Sequence, residues 1–295
     1  MAKPGIVRIG ISGWRYAPWR GVFYPKKLPQ KKELSYAASI FRTIEINGTF
    51  YSLQRPDNFA AWDSATPEGF VFSVKGPRFI THIKRLKNVR APLANFLASG
   101  ILRLGSKLGP ILWQLPPNFR FDPKRIETFL KMLPHDTETV AALARRHDKR
   151  VKGRTWLKTD AKRKIRHAME IRHGSFVAPE FVEMLRAFDV ALVCADTVEW
   201  PRLMDLTSDY VYCRLHGSEE LYASGYDNSA LDKWAIRVNA WARGSEPADA
   251  ERACTSKGTR LARRDVFVYF DNDAKVRAPF DARGLASRVE KLIRG

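Results

Sequence analysis

Eight short runs of apolar residues recur along the chain, and several of them are nearly continuous. The run from Val266 to Phe270 has no polar side chain apart from a tyrosine hydroxyl. Parallel strands that are covered on both faces have this pattern, whereas half-exposed strands alternate apolar and polar residues. The pattern predicts buried strands at residues 7–14, 43–51, 70–75, 109–115, 167–173, 191–197, 210–217 and 266–273.

Segments with helical periodicity lie between most of these strands, at residues 33–41, 58–65, 93–107, 123–132, 179–188, 231–243 and 285–293. Asp122 and Ser229 can act as N-caps, and Pro123 and Pro179 suit a first helical turn. Strand alternating with helix eight times predicts a TIM-type (β/α)8 parallel barrel, with residues 1–295 forming a single domain. An open doubly wound sheet is the alternative. No glycine-rich phosphate motif follows the first strand, which counts against a dinucleotide-binding form of that fold.

Two segments interrupt the alternation. Residues 136–166 form a long basic excursion before the fifth strand, with a predicted helix at 138–146 and a polar stretch from residue 148 onward. Residues 244–264 are rich in Gly, Ser and Pro with scattered charge, which predicts an exposed loop.

Composition is that of a globular protein, with 45% hydrophobic and 28% charged residues among 295. No apolar run approaches the roughly 18 residues of a membrane span, and the first nine residues do not resemble a signal peptide. Three cysteines without a CxxC motif predict buried free thiols. We therefore expect a cytoplasmic protein that does not engage membranes.

Polar residues occupy nearly every predicted strand end, where the functional face of a β/α barrel lies. Barrel interiors are filled by apolar residues, so packing alone does not explain these polar groups. They are Ser12, Trp14, Tyr16, Glu45, Asn47, Tyr51, Lys75, Gln114, Glu170, Arg172, His173, Asp196, Arg214, His216, Asp271, Asn272 and Asp273.

Alternate residues of a strand point the same way, so pairs such as Glu45 with Asn47 are expected to share the barrel mouth. One interpretation is a structural ion-pair network in which Glu45, Glu170 and Asp196 pair with Lys75, Arg172 and Arg214. The other is a ligand site built on the same pairs.

The net charge of +20 favours an anionic partner, and its distribution is uneven. Residues 75–90 contain seven basic side chains, including Arg78 and His82, and no acidic one. Residues 145–166 hold eleven Lys or Arg against two Asp, and could overhang the pocket. They could contact nucleic-acid phosphates or form a solvated basic surface; Trp156 is the only aromatic residue among them.

The sequence motifs give weaker evidence for metal binding and for nucleophilic catalysis. Glu45, Glu170, Asp196, His216 and Asp271 could ligate a divalent ion, but no HxH or HExxH motif occurs and three nearby cations compete for the carboxylates. We therefore assign no metal ligand, and leave the cofactor open. Ser12 and Ser175 do not lie in a GxSxG elbow and are interpreted as turn serines.

These motifs together resemble the YecE-like proteins, the family of domain of unknown function 72. The resemblance runs in order from about residue 7 to residue 290. It is carried by the segments 9–14, 23–25, 45–51, 72–75 with Thr81 and His82, 114–119, 170–173, 214–217 and 269–273. It implies a TIM-type barrel and no defined reaction. Likeness of that barrel to metal-dependent sugar isomerases and apurinic endonucleases is an analogy of fold. Phe176 stands where the family usually has Trp, and the excursion before the fifth strand is unusually basic.

Three hypotheses follow. In the first, the chain is an enzyme, such as a hydrolase or isomerase, or a binding protein for a small phosphate- or carboxylate-bearing ligand. Its catalytic residues would be Glu170, His216 and Glu45, and its ligand-binding residues Trp14, Asn47, Tyr51, Lys75, Arg78, His82, Gln114, Arg172, His173, Arg214, Asp271 and Asn272. In the second, it binds nucleic acid or is a metal-dependent phosphodiesterase acting on DNA or RNA. In the third, it is a non-catalytic scaffold with an internal ion-pair network.

Overall fold

Eight parallel strands form a closed barrel in the computed structural model, which describes residues 3–217, 221–222 and 224–294. Each strand pairs with the next, and β1 closes the barrel by pairing with β8. This confirms the TIM-type fold and its single domain. The strands are β1 Val7–Ser12, β2 Thr43–Ile46, β3 Val71–Lys75, β4 Leu108–Gln114, β5 His167–Glu170, β6 Val190–Asp196, β7 Tyr210–Leu215 and β8 Asp265–Phe270.

Helices connect the strands around the outside of the barrel. They are α1 Glu33–Ile40, α2 Gly48–Tyr51, α3 Pro56–Ser64, α4 Arg90–Ala98, α5 Pro123–Leu130, α6 Thr137–Ala144, α7 Pro179–Ala187, α8 Asn228–Ala242 and α9 Ala278–Arg294. Pro123 and Pro179 occupy first helical turns as predicted. The Asp122 carboxylate caps α5 by accepting from the backbone N–H of Arg125 at 3.1 Å, which confirms that N-cap.

Several predicted boundaries are wrong: the last helix, for example, begins at Ala278 and not at residue 285, and the first and fifth strands end earlier than predicted. Three further boundaries differ for local reasons. Helix α8 begins earlier than expected, and its N-cap is Asp227 rather than Ser229. Strand β2 is shorter than the predicted 43–51, because the chain turns into α2 after Asn47; the Thr49 hydroxyl donates to the carbonyl of Lys75 at 2.7 Å and ties this turn to β3. The predicted helix 93–107 breaks at Gly100, whose φ of 118° belongs to the left-handed region.

Apolar side chains form two separate layers. The larger layer fills the space between the barrel and the helices. The smaller one consists of Leu112, Ala168, Ala191, Val193, Tyr210, Tyr212, Phe267 and Tyr269. On β4, β5, β7 and β8 these residues share strand parity with Gln114, Glu170, Arg214 and Asp271, so the cluster, with Ala191 and Val193 of β6, marks the inward face of the barrel.

Tyrosine hydroxyls connect the apolar interior to polar groups. The hydroxyl of Tyr269 lies 2.7 Å from Oγ1 of Thr43, and that of Tyr212 lies 2.7 Å from Oγ of Ser73. Burial raises the pKa of both tyrosines, so both remain neutral hydrogen-bonding groups. The barrel interior therefore carries a polar layer just below its C-terminal mouth.

The basic excursion runs down the side of the barrel instead of overhanging its mouth. Near its middle, Arg150 lines an apolar cleft with Tyr51 and Phe79 on the C-terminal side. At its end, Arg166 pairs with Asp265 at 2.8 Å and contacts Asp209, both at the N-terminal ends of strands. Only the middle of this segment reaches the functional face, because its two ends pair with each other: Asp136 forms a β-bridge with Lys164, and the backbone N–H of Thr137 donates to the carbonyl of Arg163.

The segment 244–264 contains no helix or strand and is held at several points. The carboxylate of Asp205 accepts from the backbone N–H groups of Ala253 and Cys254. All three cysteines are free and buried, which confirms the predicted thiols. No helix in the described residues combines the length and apolar character needed to cross a membrane.

Candidate functional site

Arg214 is the centre of a buried polar network at the C-terminal end of the barrel. Its side chain is fully buried on β7 and contacts three carboxylates. Nη1 donates to Glu170 at 2.8 Å, and Nη2 donates to Glu45 at 2.9 Å and to Asp271 at 2.7 Å. Burial disfavours the charged guanidinium, but the carboxylates of Asp271, Glu45 and Glu170 outweigh this and raise the pKa of Arg214. Arg214 is therefore a permanent internal cation.

Glu45 is fixed from two sides. The register of β1 and β2 places Ser12 beside Glu45, and the Ser12 hydroxyl donates to Oε1 at 2.5 Å. The Tyr212 hydroxyl donates to Oε2 at 2.6 Å. The amide of Asn47 in turn donates to the Ser12 hydroxyl at 2.9 Å. Ser12 therefore connects Asn47 to Glu45 within this network.

Glu170 links Arg214 to a second arginine. Gln114 on the neighbouring strand β4 donates to its Oε1 at 2.9 Å, and Nε of Arg172 donates to the same oxygen at 2.8 Å. Burial opposes ionisation of Glu170, but Arg214 and Arg172 hold its pKa well below the usual range. The guanidinium of Arg172 lies 3.8 Å from the ring centroid of Trp200 and donates to the Tyr222 hydroxyl at 3.2 Å. Its position is therefore fixed.

Two aspartates follow β8, and their surroundings push their pKa values apart. Burial opposes ionisation of Asp271, but Arg214 outweighs it and lowers the pKa. Burial and the charge of Asp271 raise the pKa of Asp273 well above its ordinary value, which favours a protonated carboxyl. Nδ1 of His216 lies 3.2 Å from Asp271, and burial lowers the pKa of this histidine. Such divergence between neighbouring acids is typical of functional sites.

Lys75 ends β3 with only 7% of its surface exposed. Its Nζ lies 4.4 Å from the centroid of the Phe50 ring and makes no ion pair or hydrogen bond with any residue that the structure describes. Burial and Arg214 lower its pKa to about 8, although three carboxylates nearby oppose the shift. The predicted pairing of Lys75 with a carboxylate is wrong.

A cavity of about 470 Å³ opens above this network. Eight of the residues predicted for ligand binding line it: Asn47, Tyr51, Lys75, Arg78, His82, Gln114, Arg172 and Asp271. Tyr16, Phe50, Tyr222 and Asp273 are the other described residues that line it. Glu45, Glu170, Arg214 and His216 are fully buried and do not line the cavity. The site therefore has an accessible layer supported by a buried one.

Three other predicted ligand-binding residues lie away from the cavity wall. Trp14 is buried against Trp62, with ring centroids 5.6 Å apart. His173 caps a short 3-10 turn by accepting from the backbone N–H of Ser175 at 3.0 Å. Asn272 donates to Asp281 at 2.8 Å.

Phe176, the residue that replaces the usual Trp, is also absent from the cavity wall. It is fully buried and packs against Phe121, Phe181 and Phe119. Because its ring is enclosed by other aromatic side chains, it supports the loop after β5 and offers no surface for stacking on a ligand.

Asp196 does not join the Arg214 network. It shares strand parity with Cys194, whose side chain packs in the outer apolar layer. Its carboxylate accepts from Arg202 at 2.8 Å and from the indole of Trp234 at 3.1 Å. It lines a separate cavity of about 910 Å³ beside α8. The predicted pairing of Asp196 with the strand-end cations is therefore wrong.

The four carboxylates that were possible metal ligands, those of Glu45, Glu170, Asp196 and Asp271, each pair with an arginine. Within residues 3–217, 221–222 and 224–294, no group of three or more His, Cys, Asp and Glu side chains is arranged to hold a metal ion. The carboxylates of Glu45, Glu170 and Asp271 all face Arg214.

Sequence reasoning gave no role to Tyr212, Tyr222 or Phe50. The alternation of Tyr212, Arg214 and His216 along β7 could have identified Tyr212, because all three share one face. Tyr222 lies in an irregular loop and reaches Arg172 only in the folded chain. Asp273 lies at a predicted strand end, but the sequence pattern assigned it no role.

Comparison with known proteins gives a consistent result. The family model described as "Protein of unknown function DUF72" matches residues 8–294. The UPF0759 protein YunF of Bacillus subtilis (strain 168) is 27% identical to this chain, covering 91% of it and 89% of YunF. A DUF72 family protein of Thermotoga maritima, TM1631, has a solved structure that matches with a TM-score of 0.72 and 25% identity, over 97% of this chain and 99% of that one.

A second solved structure shares the fold. It is the DUF72 family protein EF0366 of Enterococcus faecalis, with a TM-score of 0.68 and 16% identity over 97% of this chain and 96% of that one. The match of a single family model across nearly the whole barrel, with its strand-end polar residues, shows that this chain belongs to the DUF72 family.

Proposed function

We propose that the 470 Å³ cavity binds a small molecule that carries a phosphate or carboxylate group. The observation that carries this proposal is that two cations in the cavity wall lack a carboxylate partner among the described residues. Neither Lys75 nor Arg78 makes an ion pair with a residue in the described part of the chain. A cation that lacks a protein partner in a concave site is suited to an anionic ligand.

The charge balance of the site supports the same conclusion. Four cations belong to the cavity and the network below it: Lys75, Arg78, Arg172 and Arg214. Three carboxylates, those of Glu45, Glu170 and Asp271, oppose them. The raised pKa of Asp273 favours its neutral form. An anion would therefore enter a site with an excess of positive charge.

The residues of the cavity wall and the buried network below them have different roles in this proposal. Arg78 and Arg172 contact the anion, and Arg172 is held in place by Glu170. Burial and Arg172 lower the pKa of His82 to about 4, so its imidazole is neutral near pH 7 and can accept or donate a hydrogen bond. Glu45, Glu170 and His216 lie below the wall and position the groups that touch the ligand.

The test is calorimetric titration with three probes: inorganic phosphate, glycerol 3-phosphate and malonate. We expect at least one probe to bind. We expect Arg78→Ala to weaken its binding at least about tenfold, because a hydrogen bond to a charged group contributes about 1.5–3 kcal/mol. Arg78 is exposed and makes no side-chain contact that the structure records, so the fold should persist.

Arg260→Ala is the matched control, since it removes an exposed arginine that does not line this cavity. Equal affinity of the native chain and the Arg78→Ala variant would contradict the proposal. Failure of all three probes to bind would favour the scaffold alternative, in which the Arg214 network serves stability alone.

The nucleic-acid alternative has less support. Four cations of the excursion are paired with acidic side chains: Lys162 with Glu138, Arg163 with Asp160, Lys164 with Asp189 and Asp209, and Arg166 with Asp209 and Asp265. Phosphate groups that contact these four cations would have to displace their carboxylates. The other seven basic residues of the segment 145–166 are exposed and make no ion pair with any described residue, so they are the part of the excursion that this alternative would use. This alternative requires that duplex or single-stranded DNA or RNA binds at low salt, with affinity that falls steeply as salt rises.

A further inference from the structure

Lys75 combines three features that no other described cation of the site has together. Its side chain is almost entirely buried, its ammonium group lies against the Phe50 ring, and no carboxylate in the described residues forms an ion pair with it. Its backbone is fixed as well, because the Thr49 hydroxyl donates to its carbonyl. The side chain nevertheless lines the cavity, so a ligand can reach its amine.

This environment favours the unprotonated form of the Lys75 amine. Burial and the neighbouring Arg214 guanidinium lower the pKa of Lys75 to about 8. About a tenth of Lys75 side chains are then unprotonated at pH 7, compared with about four in ten thousand for a lysine with the ordinary pKa near 10.4. A desolvated lysine beside another cation is a recognised form of amine nucleophile.

The groups around Lys75 supply the other requirements of amine chemistry. Arg78 and Arg172 remain charged and can hold an anion while Lys75 is neutral. Asp273 lines the same cavity, and its Oδ1 has no hydrogen-bond partner among the described residues. Its raised pKa makes it a proton donor at neutral pH.

We propose that Lys75 condenses with the carbonyl group of an anionic aldehyde or ketone to form an imine, while Arg78 and Arg172 hold the anionic group of the same molecule. The inference rests on the proposed function, since it uses the same anion site. It adds the chemical class of the ligand and a covalent step.

The step balances with groups on the cavity wall. The Nζ lone pair forms a bond to the carbonyl carbon, and the carbonyl oxygen takes a proton from Asp273. Nζ then returns a proton to the Asp273 carboxylate, which gives a neutral carbinolamine. Its hydroxyl takes that proton and leaves as water, and the nitrogen lone pair completes the protonated imine. No oxidant or reductant is needed.

Reductive trapping on the native chain tests this inference. The protein is incubated at pH 7 with dihydroxyacetone phosphate or with pyruvate, sodium borohydride is added, and peptide mass mapping locates the reduced adduct. We expect the adduct at Lys75, formed at least about tenfold faster than at Lys87, an exposed lysine that does not line the cavity. Glycerol 3-phosphate, which lacks a carbonyl group, should form no adduct and should slow the labelling of Lys75.

The Lys75→Arg variant keeps the positive charge and removes the primary amine. We expect its peptide to carry no adduct while Lys87 labels as before. Because the main measurement uses the native chain, it stands even if this variant does not fold.

Two outcomes would overturn the inference: no adduct at Lys75 with either carbonyl probe, or labelling of Lys75 no faster than that of Lys87. If glycerol 3-phosphate still binds in the calorimeter, the anion site survives and only the covalent step fails. If no anion binds either, the proposed function fails with it.

Discussion

At the scale of single residues, one guanidinium organises the site. Arg214 is fully buried and satisfies Glu45, Glu170 and Asp271 at once, with a further contact to Ser12. Buried charges are tolerated only when they are paired, because each costs several kcal/mol to remove from water. The network therefore depends on the whole set and not on any single pair.

We expect Arg214→Met to lower the free energy of unfolding by about 3–5 kcal/mol at pH 7, because three carboxylates lose their common partner. Urea denaturation followed by circular dichroism measures this loss. Arg294→Met is the control: its ion pair with Glu290 is exposed, so we expect a change of at most about 0.5 kcal/mol. Similar losses in the two variants would contradict the central role of Arg214.

The same network predicts the response to acid. The folded-state pKa values of Glu170 and Asp271 are lowered, so their stabilising contribution is present above their unfolded pKa values near 4 and is lost as pH falls below them. The native chain should therefore lose stability below about pH 4.5. Arg214→Met removes the main cause of the lowered pKa values, so its deficit relative to the native chain should shrink as pH falls from 7 to 4.

At the scale of elements, short local signals set where helices start and stop. Asp122, Asp136 and Asp227 each accept a hydrogen bond from a backbone N–H in the first turn of the helix that follows. Gly100 ends α4, and a Cβ there would meet the Cα of Pro56 at 2.5 Å. A glycine at this position therefore explains why one predicted helix is two segments.

The start of α8 gives a matched pair of substitutions. The carboxylate of Asp227 accepts from the backbone N–H of Ala230 at 2.7 Å, whereas Ser229 lies inside the helix. We expect Asp227→Ala to lower the free energy of unfolding by about 1 kcal/mol and Ser229→Ala to change it by less than about 0.5 kcal/mol. Urea denaturation distinguishes them, and a larger effect at Ser229 would show that the helix starts where the sequence pattern placed it.

At the scale of the whole molecule, the strands of the closed barrel are better protected from local unfolding than the segments that connect them. Cys194 and Cys213 lie on adjacent strands β6 and β7, and pair in register across the ladder. Cys254 lies in the segment 244–264, which has no helix or strand and is held by side-chain contacts. Segments of this kind open locally at lower free energy than a barrel core.

We therefore expect the three thiols to react with a disulfide reagent in two classes. Cys254 should react in native conditions through local opening, whereas Cys194 and Cys213 should react only with global unfolding, which burial enforces. Mass mapping of labelled peptides at increasing urea concentration measures this order. Equal protection of all three thiols would mean that the segment is held as firmly as the barrel.

The sequence by itself determined the barrel and most of its mouth. Continuous apolar runs specify strands covered on both faces, and period-two alternation places Glu45, Glu170 and Arg214 on the inward side of their strands. Alternation could also have excluded Asp196, which shares the parity of outward-facing Cys194. These are local properties of the chain, so they can be read without coordinates.

Only the tertiary structure decided which inward side chains meet. Closure of the barrel brings β2, β5, β7 and β8 to one point, so that Arg214 pairs with three carboxylates while Lys75 pairs with none among the described residues. The fold also places the end of the basic excursion at the N-terminal face of the barrel, where Arg166 pairs with Asp265. Side-chain pairing across the barrel and the course of a long connection depend on contacts between distant residues, and no periodicity along the chain encodes them.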